Sequence, residues 1–242
     1  MLPPIRGVID RRILVNYRVD PGVLDDALPG EFAPRTVDGW GIGGTCCIRL
    51  RDVRPRGVPA RLGTSSENAA HRIAVEVPGE SGPEPAVFVP RRDTDSALNR
   101  CLGGRVFPGV HHPATFEVHE SGDRYELRME SRDGECRIEV AGERASSLPD
   151  DSVFDSVAAA SSFLRDGSLG YSPADEGYDA LEVRPFEWNV SALSVEAASA
   201  SYFESFPDDA VEFDHALLVW DVEHEWHEGE SLCATPRTRS GR

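Results

Sequence analysis

The sequence contains no lysine. All 25 basic residues are arginine, set against 42 acidic residues, for a net charge of −17 at neutral pH. A Schiff base needs a primary amine, and lysine is the side chain that supplies one. Only the α-amine of Met1 remains, so lysine-based imine catalysis and pyridoxal-phosphate anchoring are not expected. A P-loop, which requires Gly-Lys-Ser/Thr, is absent for the same reason. The acidity argues against phosphate backbones and anionic membrane surfaces as partners. It reads as a halophilic adaptation, in which a strongly acidic surface keeps the chain soluble.

Other absences narrow the chemistry further. No apolar run approaches the ~20 residues of a membrane helix; Ala216-Leu217-Leu218-Val219-Trp220 is among the longest. The first residues carry no apolar stretch of signal-peptide length, which predicts a soluble, cytoplasmic protein. No C-x-x-C occurs, and Cys46, Cys47, Cys101, Cys136 and Cys233 are odd in number with one adjacent pair. That is a poor disulfide framework and a poor zinc site, so reduced, buried thiols are expected. G-x-S-x-G is absent, so a hydrolase elbow has no support; Gly39 to Gly44 is glycine-rich in the G-x-G-x-x-G pattern but lies within a strand reading, so a dinucleotide fingerprint has none either,.

What is there describes a globular chain, 40% hydrophobic and 28% charged,. Strand-like segments fall at 12–19, 32–37, 40–53, 68–77, 86–89, 114–119, 124–131, 136–141, 178–188, 193–200 and 216–222. Short helices are predicted at 21–30, 94–102 and 153–165. Strands do not alternate with long helices, which disfavours a doubly wound sheet. The tally predicts an α+β fold: an antiparallel β-barrel with a few short helices packed outside. A single domain over 11–228 is expected, with an N-terminal extension at 1–10 and a flexible tail at 229–242.

Several constellations can carry chemistry. Read as a strand, residues 67–76 put Arg72 and Glu76 on one face around Ala74, with Ile73 and Val75 on the other. This suits the inner wall of a barrel with a polar cavity, Arg72 holding a carboxylate through forked bonds. It equally describes an exposed face with an ordinary salt bridge. Residues 103–113 combine two glycines, Arg105 and the adjacent His111 and His112. One histidine is a candidate general base near neutral pH, the other facing away; the alternative is a turn with a structural histidine. Arg91, in Arg91-Arg92-Asp93-Thr94, is an anion holder or a solvated arginine beside a helix cap. Tyr171, in the turn 168–173, lines a pocket or staples the loop. His224 and His227 would share a metal on a helix, but they follow a strand and read as a strand end, so no metal is assigned.

The ordered series Asn16-Tyr17-Arg18-Val19, Arg51-Asp52-Val53-Arg54-Pro55-Arg56-Gly57, Glu67-Asn68-Ala69-Ala70, the segments 103–112 and 168–173, and Val211-Glu212-Phe213-Asp214 with His224 to His227 resembles the YqjF-like family. That is a domain-of-unknown-function family (domain of unknown function 2071), and the match spans residues 10–228. The family is grouped with the acetoacetate decarboxylase-like superfamily. The resemblance implies one α+β domain built on a cone-like antiparallel barrel with a central cavity. It also implies that His111 and His112 stand near the position of the decarboxylase's lysine pair. Imine decarboxylation does not carry over to a chain without lysine.

The expectation is therefore a cavity for a small anionic or carbonyl-bearing metabolite, without a cofactor. Arg72, Arg105, Arg91 and Tyr171 would contact the ligand, and Glu76 with His111 or His112 would handle protons. A homo-oligomer is compatible with this reading. The rivals are a cofactor-free lyase or isomerase using His and Glu, and a non-enzymatic partner-binding protein with a vestigial pocket.

Overall fold

The computed structural model describes residues 4–79, 81–102, 109–186 and 188–234. Its strands are β1 (Ile5–Val19), β2 (Ala33–Pro34), β3 (Thr36–Val37), β4 (Trp40–Pro55), β5 (Thr64–Gly79), β6 (Gly82–Thr94) and β7 (His111–Ser121). They continue with β8 (Arg124–Ser131), β9 (Arg137–Ala145), β10 (Leu169–Ala174), β11 (Gly177–Pro185), β12 (Val190–Ala200) and β13 (Val211–Glu228). The helices are short: α1 (Pro21–Ala27), α2 (Ala97–Leu102), α3 (Val157–Asp166) and α4 (Ser201–Glu204). No helix is long and apolar enough to cross a membrane.

All thirteen strands belong to one sheet, and its pairings close on themselves twice. One circuit runs β13-β1-β4-β5-β6-β10-β11 and returns to β13. The other runs β13-β1-β4-β5-β6-β7-β8-β9-β12 and returns to β13. The strands β13, β1, β4, β5 and β6 serve both circuits, and this explains the sequence of β1 in particular. A strand buried on both faces loses the simple apolar-in, polar-out alternation. On β1, Ile13 and Val15 enter an apolar core with Met129, Ile138 and Leu218. Leu14 points the other way and packs with Cys46 and Leu217.

Local differences from the sequence expectations have simple causes. The segment expected as one strand at 32–37 forms only the two-residue pieces β2 and β3, separated by Arg35, and β2 ends on Pro34, which has no N–H to give,. The helix expected from Thr94 begins at Ala97, because Thr94 ends β6 and its Oγ1 accepts from Ser96 N at 3.1 Å. The third helix begins at Val157, where Ser156 Oγ accepts from Ala159 N at 3.1 Å,. The stretch from Pro78 to Pro85, which falls between the expected strands 68–77 and 86–89, is mostly ladder, since β5 and β6 stay paired out to Gly79–Gly82. β1 already starts at Ile5, inside the stretch expected to be an extension, and in the expected tail Leu232 bridges to Tyr178.

Candidate functional site

A cavity of about 170 Å³ is lined by residues of β1, β4, β5, β6, β10, β11 and β13, with others from β7, α2 and α3. Three arginines line it: Arg12 from β1, Arg72 from β5 and Arg92 from β6. Strand register brings them together. Leu14 pairs with Cys46, Cys46 with Ala70, and Ala70 with Arg92, so β1, β4, β5 and β6 present one level of side chains. Arg72 lies beyond that level, opposite Gly44. An added Cβ at Gly44 would sit 2.3 Å from the Val15 carbonyl oxygen and 3.1 Å from Arg72 Nη2. Only glycine leaves the strand and the guanidinium room there.

The partners of these arginines are neutral. Arg12 Nε donates to Cys46 Sγ at 2.8 Å, and Arg92 Nε donates to Ser172 Oγ at 3.2 Å. Arg72 is 4% exposed; its Nη2 donates to Asn16 Oδ1, and its Nε has no partner. Among the described residues no carboxylate forms an ion pair with Arg12, Arg72 or Arg92. The adjacent Arg11 shows the contrast, pairing with Glu67 and, at 3.3 Å, with Glu120. Burial, with repulsion from Arg12, pulls Arg72 and Arg92 down to about 10. Both remain cations at neutral pH. His111 also lines the cavity, and burial together with the Arg92 charge holds it down at about 4, so it is neutral at pH 7.

Behind Arg72 runs a buried polar chain. Because Asn16 Oδ1 accepts from Arg72, its Nδ2 is the donor to His215 Nε2, at 3.0 Å,. His215 Nδ1 therefore carries the proton and donates to Asp214 Oδ2 at 2.5 Å,. Ser152 Oγ and Val153 N also donate to Asp214, at 2.8 and 2.9 Å. These bonds keep the Asp214 carboxyl below its ordinary range against the opposing effect of burial. Burial lowers His215 in turn.

Of the residues singled out from the sequence, the structure brings Arg72 and His111 into the cavity. The others stand elsewhere. Arg91 is engaged by Asp93 at 3.0 Å, Asp133 at 2.7 Å and Glu135 at 2.9 Å, so its charge is already answered. His112 faces the opposite way from His111 and meets Asp133 at 3.2 Å. Glu76 is half-buried beside Ala33 and Pro85, outside the cavity lining. Tyr171 lies in β10, not in a turn, and packs against Phe32 with ring centroids 5.6 Å apart. His224 lies within β13 and packs on Trp226. Arg105, with Gly103, Gly104 and Phe107, lies outside the described residues.

Sequence reasoning passed over Arg12, Arg92, Cys46 and the chain from Asn16 to Asp214. A signal existed for the last of these, since Asn16 and Asp214 both fall in the segments that carry the family resemblance.

Among the described residues, one cluster offers metal-ligating atoms: His71, Asp93 and Cys136, all buried. Its donors are already occupied. His71 Nε2 and Cys136 Sγ are 2.8 Å apart, and both Asp93 oxygens accept from Arg91. Burial pushes the Cys136 thiol up to about 12, which opposes the thiolate that a metal requires,. The Arg91 charge already neutralises the Asp93 carboxylate.

The sequence matches a family described as an uncharacterized conserved protein over residues 9–217. The chain belongs to the DUF2071 family. No curated protein matches it. Among solved structures, this DUF2071 chain is similar to the enduracididine biosynthesis enzyme MppR complexed with the condensation product of pyruvate and imidazole 4-carboxaldehyde. The TM-score is 0.64 at 13% identity, covering 98% of this chain and 92% of that one. It is also similar to acetoacetate decarboxylase from Legionella pneumophila, with TM-score 0.61 and 12% identity over 96% of this chain and 88% of that one. An acetoacetate decarboxylase-like enzyme from Sphingomonas wittichii gives TM-score 0.57 at 16% identity over 96% and 94%. The DUF2071 chain thus has the acetoacetate decarboxylase-like fold.

Proposed function

We propose that this chain is a cytoplasmic small-molecule-binding protein whose barrel interior takes an anionic, carbonyl-bearing metabolite. The two closed circuits are read as the walls of the barrel. One observation carries the proposal: Arg12, Arg72 and Arg92 share a cavity and none forms an ion pair with a carboxylate among the described residues, since Asp93, which also lines the cavity, is taken by Arg91. In a chain of net charge −17, carboxylates to neutralise them are abundant elsewhere. Buried charges are ordinarily paired, so a guanidinium cluster left without a carboxylate favours an anion supplied from outside. A charged hydrogen bond contributes about 1.5–3 kcal/mol to holding it. The solved structure with a pyruvate condensation product is consistent with a carbonyl-bearing ligand in this fold.

Turnover is a second reading, favoured by His111. A neutral imidazole beside a bound anion can accept a proton, as a cofactor-free lyase or isomerase would require. Imine chemistry stays outside this reading because the chain has no lysine.

The test is a thermal-shift titration at fixed ionic strength with pyruvate and acetoacetate, and with pyruvamide as the uncharged control. The anions should raise the melting temperature and the amide should not. Arg72→Ala and Arg92→Ala should each remove the effect. Absence of any anion-dependent shift, or shifts undiminished in both variants, would overturn the proposal.

A further inference from the structure

Resting on the anion site proposed above, we infer that the ligand is an amphiphilic carboxylic acid, with its head on the guanidiniums and an aliphatic or aryl body beyond them. The cavity is polar at one level and apolar at the next. Along β4 its lining residues run Cys46, Ile48, Leu50, Val53, and along β1 they run Leu14, Arg12, Ile9. Ile9 pairs with Leu50, so both strands become apolar on the same side of Arg12. Trp226 of β13 continues this wall and pairs with Val183 of β11.

A small hydrophilic anion would leave that wall without a partner. Pockets that bind drug-sized ligands combine mostly apolar walls with a few placed polar groups, and this one fits a carboxylate that has an apolar tail. The register also sets the polarity of binding. The head lies at the level of Cys46 and Ala70, where Arg92 stands, with Arg12 and Arg72 to either side. The tail runs past Arg12 toward Leu50, Val53 and Trp226.

The experiment is a calorimetric and thermal-shift series with acetate, butyrate, hexanoate, octanoate and phenylacetate, and with octanamide as the neutral control. Affinity should rise about fourfold per added methylene until the cavity is full. Octanamide should bind more weakly than octanoate. Val183→Asn, which adds polarity without charge, should lower the gain per methylene more than it lowers the acetate response. Val53→Asn makes the same test from β4 should the first variant not fold. A response equal for acetate and octanoate would overturn the amphiphile while leaving the anion site standing. Octanamide binding as well as octanoate would overturn the assigned head contact. If no carboxylate of the series binds at all, the anion reading itself fails, and this inference with it.

Discussion

Asn16 on β1 holds Arg72 on β5 across the intervening strand β4. The carboxamide oxygen takes the guanidinium and the carboxamide nitrogen is spent on His215. Arg72 is thus positioned by a neutral group with both of its hydrogen-bonding ends in use. A carboxylate in that place would cancel the charge that the cavity presents.

This arrangement separates charge from support. Asn16→Asp should fold and should abolish anion-induced thermal stabilisation, because the new carboxylate would pair with Arg72. Asn16→Ala should instead lower stability, by about 1–3 kcal/mol for each buried partner left unmet. Denaturant unfolding and the pyruvate shift, measured on both variants, check the distinction.

Stability should fall on acidification below neutrality. Burial lowers His71, His111 and His224 to about 4, and lowers His215 as well. The folded state therefore resists protons that the unfolded chain accepts from about pH 6.5 downward. The stability these groups give is complete above pH 6.5 and is lost as pH falls toward 4, at up to about 1.4 kcal/mol per pH unit for each fully neutral histidine. Asp93 and Asp95, raised by burial, oppose the loss at the acid end. Chemical denaturation at pH 7.5, 6, 5 and 4.5 reads the slope, and a flat profile would contradict the buried neutral histidines.

Gly44→Ala should destabilise the fold by about 1–3 kcal/mol. The methyl would meet the Val15 carbonyl oxygen at 2.3 Å, so β1 and β4 would have to separate. Gly39→Ala, in open space but at φ +83°, should cost less than that clash and leave anion binding unchanged. Equilibrium unfolding of the two variants provides the comparison.

Cys46 reports on the cavity. Its sulfur accepts from Arg12 and lines the same space as Arg72 and Arg92. With the exposed Cys101 and Cys233 replaced by serine, iodoacetate should modify Cys46 faster relative to iodoacetamide than it does a free thiol. Pyruvate should slow that modification. Mass spectrometry of the modified peptide checks both effects.

The β-rich character with a few short helices could be read from the sequence because turns and strand-forming runs are local features. Period-two alternation on β5 assigns Arg72 a face but leaves open whether that face is a cavity wall or an exposed one. Glu76 has the same parity, yet it stands outside the cavity because position along a strand decides level as well as face. Arg91 and Arg92 are adjacent and chemically identical. Which of them faces the cavity depends on the irregularity in the β5–β6 ladder between His71 and Ile73, and no local pattern announces it. Tyr171 was placed in a turn because Gly170 and Pro173 flank it, but pairing with β11 and β6 overrides that local preference.

By itself, the sequence determined what this protein lacks and how its strands alternate: no primary amine among its side chains, a net charge of −17, and a β-rich chain without long helices. These follow from composition and short-range periodicity. Tertiary structure alone decided which cations are left without carboxylates. Charge compensation depends on distance through space, and Arg11 and Arg12, neighbours in sequence, meet opposite environments because successive residues on β1 face opposite sides of the sheet.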